Sequence, residues 1–285
     1  MTFLAAGKVN YRARIARAEL LSNRHPYAAE VLAFYVRIAQ FQRDLYEFLP
    51  KLWGKQPLAP ANGLLRSELN QPILVEPFAK FLAVITEHAP RPLAAEADYL
   101  KDQGTMAWAA KLETFWKAGL AEWGKRDNDG EEQIPDPLKE FLARAFLQPY
   151  AEFVGGTMLP PNLPMTTCRC PRCNSLPLLG IIRQEGDGGR RNLLCAFCSQ
   201  EWEFRRIFCA NCGEEREDHL PVYTTEQFPH VRVESCETCK HFLRTIDLTK
   251  DGNAVPIVDD LAGLPLSLWA EEQGYQRIQG NLLGT

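Results

Sequence analysis

No apolar run in this 285-residue chain approaches the ~20 residues that a helix needs to cross a bilayer, so no membrane insertion is expected. The first ten residues lack a basic stretch followed by a long apolar one, so no secretory signal is expected either. The arginine pairs Arg190–Arg191 and Arg205–Arg206 are internal and are not export signals. Also missing are a pair of carboxylates in a catalytic setting, a Ser/His/Asp set and a phosphate-cradling glycine loop; Gly186-Asp-Gly-Gly189 reads as a turn. A basic excess is missing too. Residues 1–163 carry 19 basic and 19 acidic side chains, and residues 164–285 carry 13 and 17, so the net charge of −4 sits on the C-terminal part. Phosphate neutralisation supplies most nucleic-acid affinity, so an acidic balance argues against that partner.

Cysteine is absent from the first 167 residues, and all nine lie between Cys168 and Cys239. Eight of them form four Cys-x-x-Cys pairs: Cys170/Cys173, Cys195/Cys198, Cys209/Cys212 and Cys236/Cys239. Two intervening residues suit a tight turn that aims both sulfurs at one cation, and two such turns close a tetrahedron. In a reducing cytoplasm this pattern means metal rather than disulfides. Gaps of 21 and 23 residues separate Cys173 from Cys195 and Cys212 from Cys236, each suiting a hairpin or short three-stranded ribbon. The simplest assignment groups Cys170, Cys173, Cys195 and Cys198 in one site and Cys209, Cys212, Cys236 and Cys239 in a second. An interleaved cross-brace is the competing topology. Offsets of 39 residues from Cys170 to Cys209 and 41 from Cys195 to Cys236 favour a tandem repeat. Zinc and iron both accept four thiolates at this spacing, and a closed four-sulfur site leaves no open position for metal-based catalysis. Cys168 falls outside the pairs and reads as a bystander at the ribbon edge. With eight thiols present, His219, His230 and His241 read as surface or strand residues.

The N-terminal part reads as an all-α bundle of about six helices. Helices are expected over 10–24, over 29–49, over 75–88, over 92–103, over 105–123 with Thr105 as cap, and over 136–154 with Asp136 as cap and Pro137 at its first position. In the second, Leu32, Tyr35, Ile38, Ala39, Leu45 and Leu49 recur near a 3.6 period, Val31, Phe34, Phe41 and Phe48 widen the stripe, and Pro50 and Gly54 should end it. Lys125–Gln133 reads as a charged turn, Gly155–Gly156 should stop the last helix, and Pro160–Pro164 is a stiff linker at a domain boundary. Beyond it, strands are expected at 178–184, 191–194, 202–208, 222–225, 230–234 and 242–247, with a hairpin at 185–189. Residues 199–208 read as one extended strand linking the sites. Trp202, Phe204, Phe208, Tyr223, Phe228 and Phe242 should form small cores around each ion. A helix over 259–273 presents Leu261, Leu264, Leu268 and Trp269 on one face and stops at Gly274. The acidic clusters Glu214–Asp218 and Asp259–Asp260 read as solvated loops and a helix start. The expected fold is α+β with three domains: 1–163 helical, 164–208 a first metal ribbon of rubredoxin or zinc-ribbon type, and 209–285 a second ribbon with a C-terminal helix.

Several segments resemble the FdhE family of formate dehydrogenase accessory proteins. They are Cys170-Pro-Arg-Cys173, Leu194-Cys-Ala-Phe-Cys-Ser-Gln-Glu-Trp202, Arg206-Ile-Phe-Cys-Ala-Asn-Cys212, Val233-Glu-Ser-Cys-Glu-Thr-Cys239, and the tail Val258-Asp-Asp-Leu-Ala-Gly-Leu264 with Glu272-Gln-Gly-Tyr-Gln276. The resemblance is close over the C-terminal part and loose over the helical part. It implies a cytoplasmic, non-catalytic assembly factor that meets the catalytic subunit of formate dehydrogenase before export. It also implies iron, with zinc as the runner-up, at two ions held by Cys170, Cys173, Cys195, Cys198, Cys209, Cys212, Cys236 and Cys239. A homo-oligomer is left open. The rival readings are a thiol–disulfide oxidoreductase using one Cys-x-x-Cys pair, which needs a low-pKa thiol at a helix N-terminus, and a nucleic-acid-binding ribbon.

Overall fold

The computed structural model describes residues 9–53, 65–67, 69–118, 137–158, 164–186 and 188–284. It is α+β, as the change of period along the chain requires, and it forms two compact units. One comprises residues 1–12, 34–160 and 172–174; the other comprises 13–33, 161–171 and 175–285. This partition cuts across the expected boundary at 163/164, because most of the first helix and the start of the second are counted with the ribbon segments.

The six expected helices are all present: α1 (Tyr11–Arg24), α2 (Ala29–Trp53), α3 (Val75–His88), α4 (Arg91–Asp102), α5 (Gly104–Ala118) and α6 (Pro137–Thr157). In α2, Leu32, Tyr35, Ile38, Ala39, Leu45 and Leu49 are buried, Val31, Phe34 and Phe41 are half-buried, and Phe48 is 47% exposed and does not extend the stripe. Pro50 does not end α2, which runs one turn further. Phe78, Phe81 and Phe146 build the helical core, with ring centroids 4.8 Å apart for Phe78–Phe146 and 5.7 Å for Phe81–Phe146. Gln42 is buried in that core and donates to the Ala145 carbonyl at 2.7 Å, which satisfies a group that would otherwise be costly to desolvate. Gly155–Gly156 does not stop α6. The helix continues to Thr157, and the guanidinium of Arg172 donates to the carbonyls of Gly155 and Met158, which serves the free acceptors of the last turn. Residues 119–123, Asp136, Gly54, the Lys125–Gln133 turn and residues 160–163 of the linker lie outside the described residues.

The second unit is organised by one seven-stranded sheet of β1 (Pro177–Glu185), β2 (Gly188–Cys195), β3 (Glu201–Glu203), β4 (Val222–Thr224), β5 (Val231–Ser235), β6 (His241–Asp247) and β7 (Gln276–Arg277). Its order is β3-β2-β1-β6-β5-β4, with β7 also paired to β6. Each ribbon is an antiparallel meander, β1-β2-β3 and β4-β5-β6. A parallel pairing of Gly180–Ile182 on β1 with Thr245–Asp247 on β6 joins them. The expected strand over 202–208 shrinks to β3, because Phe204 and Arg205 turn their amides to Arg191 and Met165. The expected helix over 259–273 is two helices, α7 (Pro256–Ala262) and α8 (Leu264–Glu272). At the break, a Cβ on Gly263 would lie 2.9 Å from Arg244 Nη1. Leu268 is 51% exposed, so it does not share the buried face of Leu261. Gly274 ends α8 in the left-handed region at φ 85°.

Candidate metal centres

Each of the four Cys-x-x-Cys pairs sits on a turn of one repeated geometry. The first cysteine's amide donates to the carbonyl five residues on: Cys170 to Ser175 (2.8 Å), Cys195 to Gln200 (2.9 Å), Cys209 to Glu214 (2.7 Å) and Cys236 to His241 (2.9 Å). The residue after each second cysteine has a positive φ: Asn174 (59°), Ser199 (52°), Gly213 (80°) and Lys240 (56°). That left-handed step turns the chain back after the second sulfur. It is free for glycine, tolerable for asparagine and costs about 1–2 kcal/mol for other residues. Only Gly213 and Asn174 advertised it in the sequence.

The turns deliver the sulfurs in sequential pairs, and no cross-brace forms. The Sγ atoms of Cys170, Cys173, Cys195 and Cys198 lie within 4.8 Å of one another, as do those of Cys209, Cys212, Cys236 and Cys239. All nine cysteines are free thiols. Sulfur–sulfur separations are 3.5 Å for Cys170–Cys198, 3.8 Å for Cys209–Cys239 and 3.7 Å for Cys212–Cys236. A tetrahedron with metal–sulfur bonds of about 2.3 Å has edges of about 3.8 Å. Amides also point at sulfur: Phe197 and Cys198 donate to Cys195 Sγ at 3.3 and 3.4 Å, and Asn211 and Cys212 to Cys209 Sγ at 3.4 and 3.5 Å. Such bonds favour thiolate, the form that binds a cation. The donor set and its spacing therefore fit a four-thiolate ion in both places.

The two sites differ in access. All four cysteines of the first are buried, whereas in the second Cys212 is exposed and Cys239 half-buried. Burial pushes the Cys209 and Cys212 thiols up, while at Cys239 hydrogen bonds from Asn211 and the His241 amide outweigh burial and bring it down to about 7.

Cys168 stays outside both groups, 3.5 Å from the Thr166 carbonyl and 3.8 Å from that of Cys209, and burial raises its thiol. Trp202 donates to the Thr167 carbonyl at 2.8 Å, and Tyr223 meets Trp269 edge-on at 4.8 Å beside the cluster of Val233, Phe242, Ala270 and Tyr275. His219 and His241 lie beside the second site without entering it: His241 Nδ1 faces the Cys239 carbonyl at 2.7 Å and His219 Nδ1 faces Thr238 Oγ1 at 3.2 Å. His230 is neither a surface nor a strand residue, since its Nε2 lies 2.9 Å from Asp259 Oδ1.

Asp259–Asp260 is not a solvated pair. Both carboxylates are buried, and they serve separate networks. Asp259 accepts from Arg17 of α1, with Nε–Oδ2 at 3.0 Å, and from the Val255 amide at 2.7 Å. With Asp251 and His230 it forms a third group whose ligating atoms lie within 4.8 Å, but Arg17 Nη2 stands 2.8 Å from Asp251, so the cation there is the guanidinium. Asp260 receives Arg277 at 2.7 Å and Asn281 at 3.0 Å, and lies 2.8 Å from Arg244 Nη2. Sequence reasoning missed these networks because a doublet of aspartates at a helix start reads the same whether it faces water or arginine.

Comparison with known proteins places both centres in matched segments. Residues 169–206 match the model described as FdhE, central domain, and residues 207–283 match FdhE, C-terminal domain. The chain is 25% identical over 281 residues to a protein named as an FdhE homolog of Aquifex aeolicus, covering 94% of this chain and 93% of that one. A Haemophilus influenzae protein of the same name is 28% identical over 275 residues, covering 94% and 85%. The Pseudomonas aeruginosa one reaches 38% over 121 residues, covering 40% and 38%. The crystal structure of the FdhE protein from Pseudomonas aeruginosa superposes with a TM-score of 0.67 at 23% identity, over 96% of this chain and 94% of that one, and so has the same fold.

Proposed function

The chain belongs to the FdhE family, and on that premise we propose that it is a non-enzymatic accessory factor for formate dehydrogenase. It holds two ions and binds the immature catalytic subunit in the cytoplasm before export. The observation that carries the reading is the closure of both sulfur sets: four free thiols within 4.8 Å, twice, at tetrahedral spacing. Cys170, Cys173, Cys195 and Cys198 hold one ion, and Cys209, Cys212, Cys236 and Cys239 the other. Thiolates spent on coordination leave no working nucleophile, and the pairs lie on turns rather than at a helix N-terminus. These two points weigh against the oxidoreductase reading.

Iron is the favoured ion and zinc the runner-up. An iron–thiolate centre changes valence, so it would add sensitivity to redox state, felt first at the more exposed second site. No described helix is long and apolar enough to cross a membrane, which suits a factor that meets its client before export. The client needs no chemistry, only a surface selective for its pre-export form.

Two measurements test this. Anaerobically purified protein is expected to show a red ferric–thiolate chromophore on oxidation, with two irons per chain by elemental analysis; two zincs in colourless protein would reverse the choice of metal. Replacing Cys209→Ser with Cys212→Ser should release one ion, unfold the second ribbon and abolish co-purification of the formate dehydrogenase catalytic subunit. A folded double variant that still captures the client would sink the scaffold reading.

A further inference from the structure

The two sulfur sets differ in what joins their turns. In the second set the solvent side is the edge between Cys212 and Cys239, because Cys209 and Cys236 are buried. Two side chains cross that edge from one turn to the other. Thr238, just before Cys239, donates its hydroxyl to Glu214 Oε2 at 2.6 Å, two residues past Cys212. In the opposite direction Asn211, just before Cys212, donates from its side-chain amide to Cys239. In the first set the positions between the cysteines are Pro171, Arg172, Ala196 and Phe197. Three of these have no polar side-chain atom, with Phe197 standing where the second set has Thr238. The guanidinium of Arg172 turns instead to the carbonyls of Gly155 and Met158.

Four thiolates around a divalent or trivalent ion leave a net negative centre, so the carboxylates beside it must be accounted for. Glu214 receives the fork of Arg216, with Nε at 3.1 Å and Nη2 at 3.0 Å, and the amides of Glu215 and Arg216. Glu237, between Cys236 and Cys239, receives Lys240 and the Tyr275 hydroxyl. Each of these carboxylates is matched by a cation. What faces the sulfurs is a set of donors, the turn amides and Asn211, which suits a negative centre. The Glu214 side chain is only 10% exposed, so its bond to Thr238 loses less to water than a fully solvated one would. His219 Nδ1 lies 3.2 Å from the same hydroxyl and helps to fix its position.

Resting on the reading of these sulfurs as ion ligands, we propose that Thr238 and Asn211 latch the open edge of the second site and set how fast its ion exchanges with ligands in solution. For a competing ligand to enter, Cys212 must part from Cys239. The amide bonds from Asn211 and Cys212 to Cys209 lie within one turn and move with it, so they offer no resistance. The bonds from Thr238 to Glu214 and from Asn211 to Cys239 run between turns, and both must break. The first site is closed by the burial of all four of its cysteines. The second ion is therefore the exchangeable one of the pair, and the latch, rather than burial, retains it. Thr238 and Asn211 act as positioning residues, through the turns that carry the ligands.

The test is transfer of zinc from full-length, zinc-loaded protein to an excess of a chromogenic chelator, since zinc has no redox chemistry to complicate the readout. Two phases are expected, the faster from the second site. Thr238→Val keeps the shape of the side chain and removes its hydroxyl. It should speed the faster phase about threefold or more, the factor lost with one hydrogen bond. The slower phase and the circular dichroism should stay as in wild type. Thr238→Ser keeps the hydroxyl and should keep the wild-type rate, whereas Asn211→Ala should again speed the faster phase alone. Two bound zincs released at wild-type rates in both Thr238→Val and Asn211→Ala would overturn the latch and leave the metal reading standing. Equal acceleration in Thr238→Ser and Thr238→Val would also overturn it, as general loosening of the turn. Protein that takes up fewer than two zincs would fail the metal reading, and the latch with it.

Discussion

Asp247, Asp259 and Asp260 are the buried carboxylates that tie the ribbon unit together, and each faces an arginine. Arg244 is 0% exposed, and its pKa is brought down to about 10 by burial, against which Asp260 works. Such a pair adds little net stability over an apolar pair, but removing one partner strands the other at about 3–5 kcal/mol. Asp247 permits a cleaner test. Burial raises its carboxyl, but the hydroxyl and amide of Thr249 and the guanidinium of Arg232 more than compensate, leaving it below the usual carboxylate range. A lowered native pKa means the unfolded chain takes up the proton first. The stabilisation is therefore complete above the unfolded value of about 3.9 and fades as pH falls through the native one. Asp247→Asn should lower the urea midpoint at pH 7, and the gap from wild type should close progressively below about pH 4. Metal loss in acid affects both proteins alike, so a gap that stays constant with pH would refute the assignment. None of these three roles was legible in the sequence. Composition counts an aspartate as one negative charge, and only the fold decides that an arginine more than two hundred residues away, Arg17 for Asp259, will meet it.

Secondary structure was largely legible where a short-range rule governs it. The α3 boundaries and the β1–β2 hairpin were set by periodicity and turn residues. The tail helix breaks at Gly263 and Pro265, a local signal, with Arg244 occupying the space a Cβ on residue 263 would take. Other departures involve a distant group: α6 runs through two glycines with Arg172 on its last carbonyls. The parallel join of β1 to β6 belongs with these, because nothing in either ribbon announces a partner sixty residues on. Gly180 makes the join fit. A Cβ there would lie 2.3 Å from Thr245 Oγ1, far inside contact distance. Gly180→Ala should therefore destabilise the ribbon unit by about 1–3 kcal/mol, the usual cost of overpacking. Thr245 Oγ1 is buried and has no hydrogen-bond partner among the described residues, so Thr245→Ala alone should cost little. Combined, the two changes should recover most of the loss, giving strong coupling in a double-mutant cycle read by thermal denaturation. Additive effects would show that the clash is relieved elsewhere.

At the scale of the chain, the eight-sulfur pattern disclosed how the sulfurs group, in sequential pairs, because a two-residue spacing leaves a turn few other uses. It did not disclose that the two ribbons share a sheet. Segments 164–208 and 209–285 were expected as separate domains, and separate family models match 169–206 and 207–283. In the structure β1 and β6 hydrogen-bond directly, so the segments have a common backbone ladder. On the proposed reading a ribbon this small depends on its ion, since structural zinc supplies about 10–16 kcal/mol to comparable peptides. If the ladder is shared, unfolding one ribbon removes pairing from the other, and metal retention at the two sites must be linked. The Cys209→Ser, Cys212→Ser variant exposes this link through the site it leaves intact. Its remaining ion, on Cys170, Cys173, Cys195 and Cys198, should be lost to a chelator at least several-fold faster than the slower of the two wild-type phases. The far-UV helical signal of the other unit, whose core of Phe78, Phe81 and Phe146 holds no cysteine, should largely persist. An unchanged release rate would mean that each ribbon folds around its own ion and that the three-domain division describes the folding units.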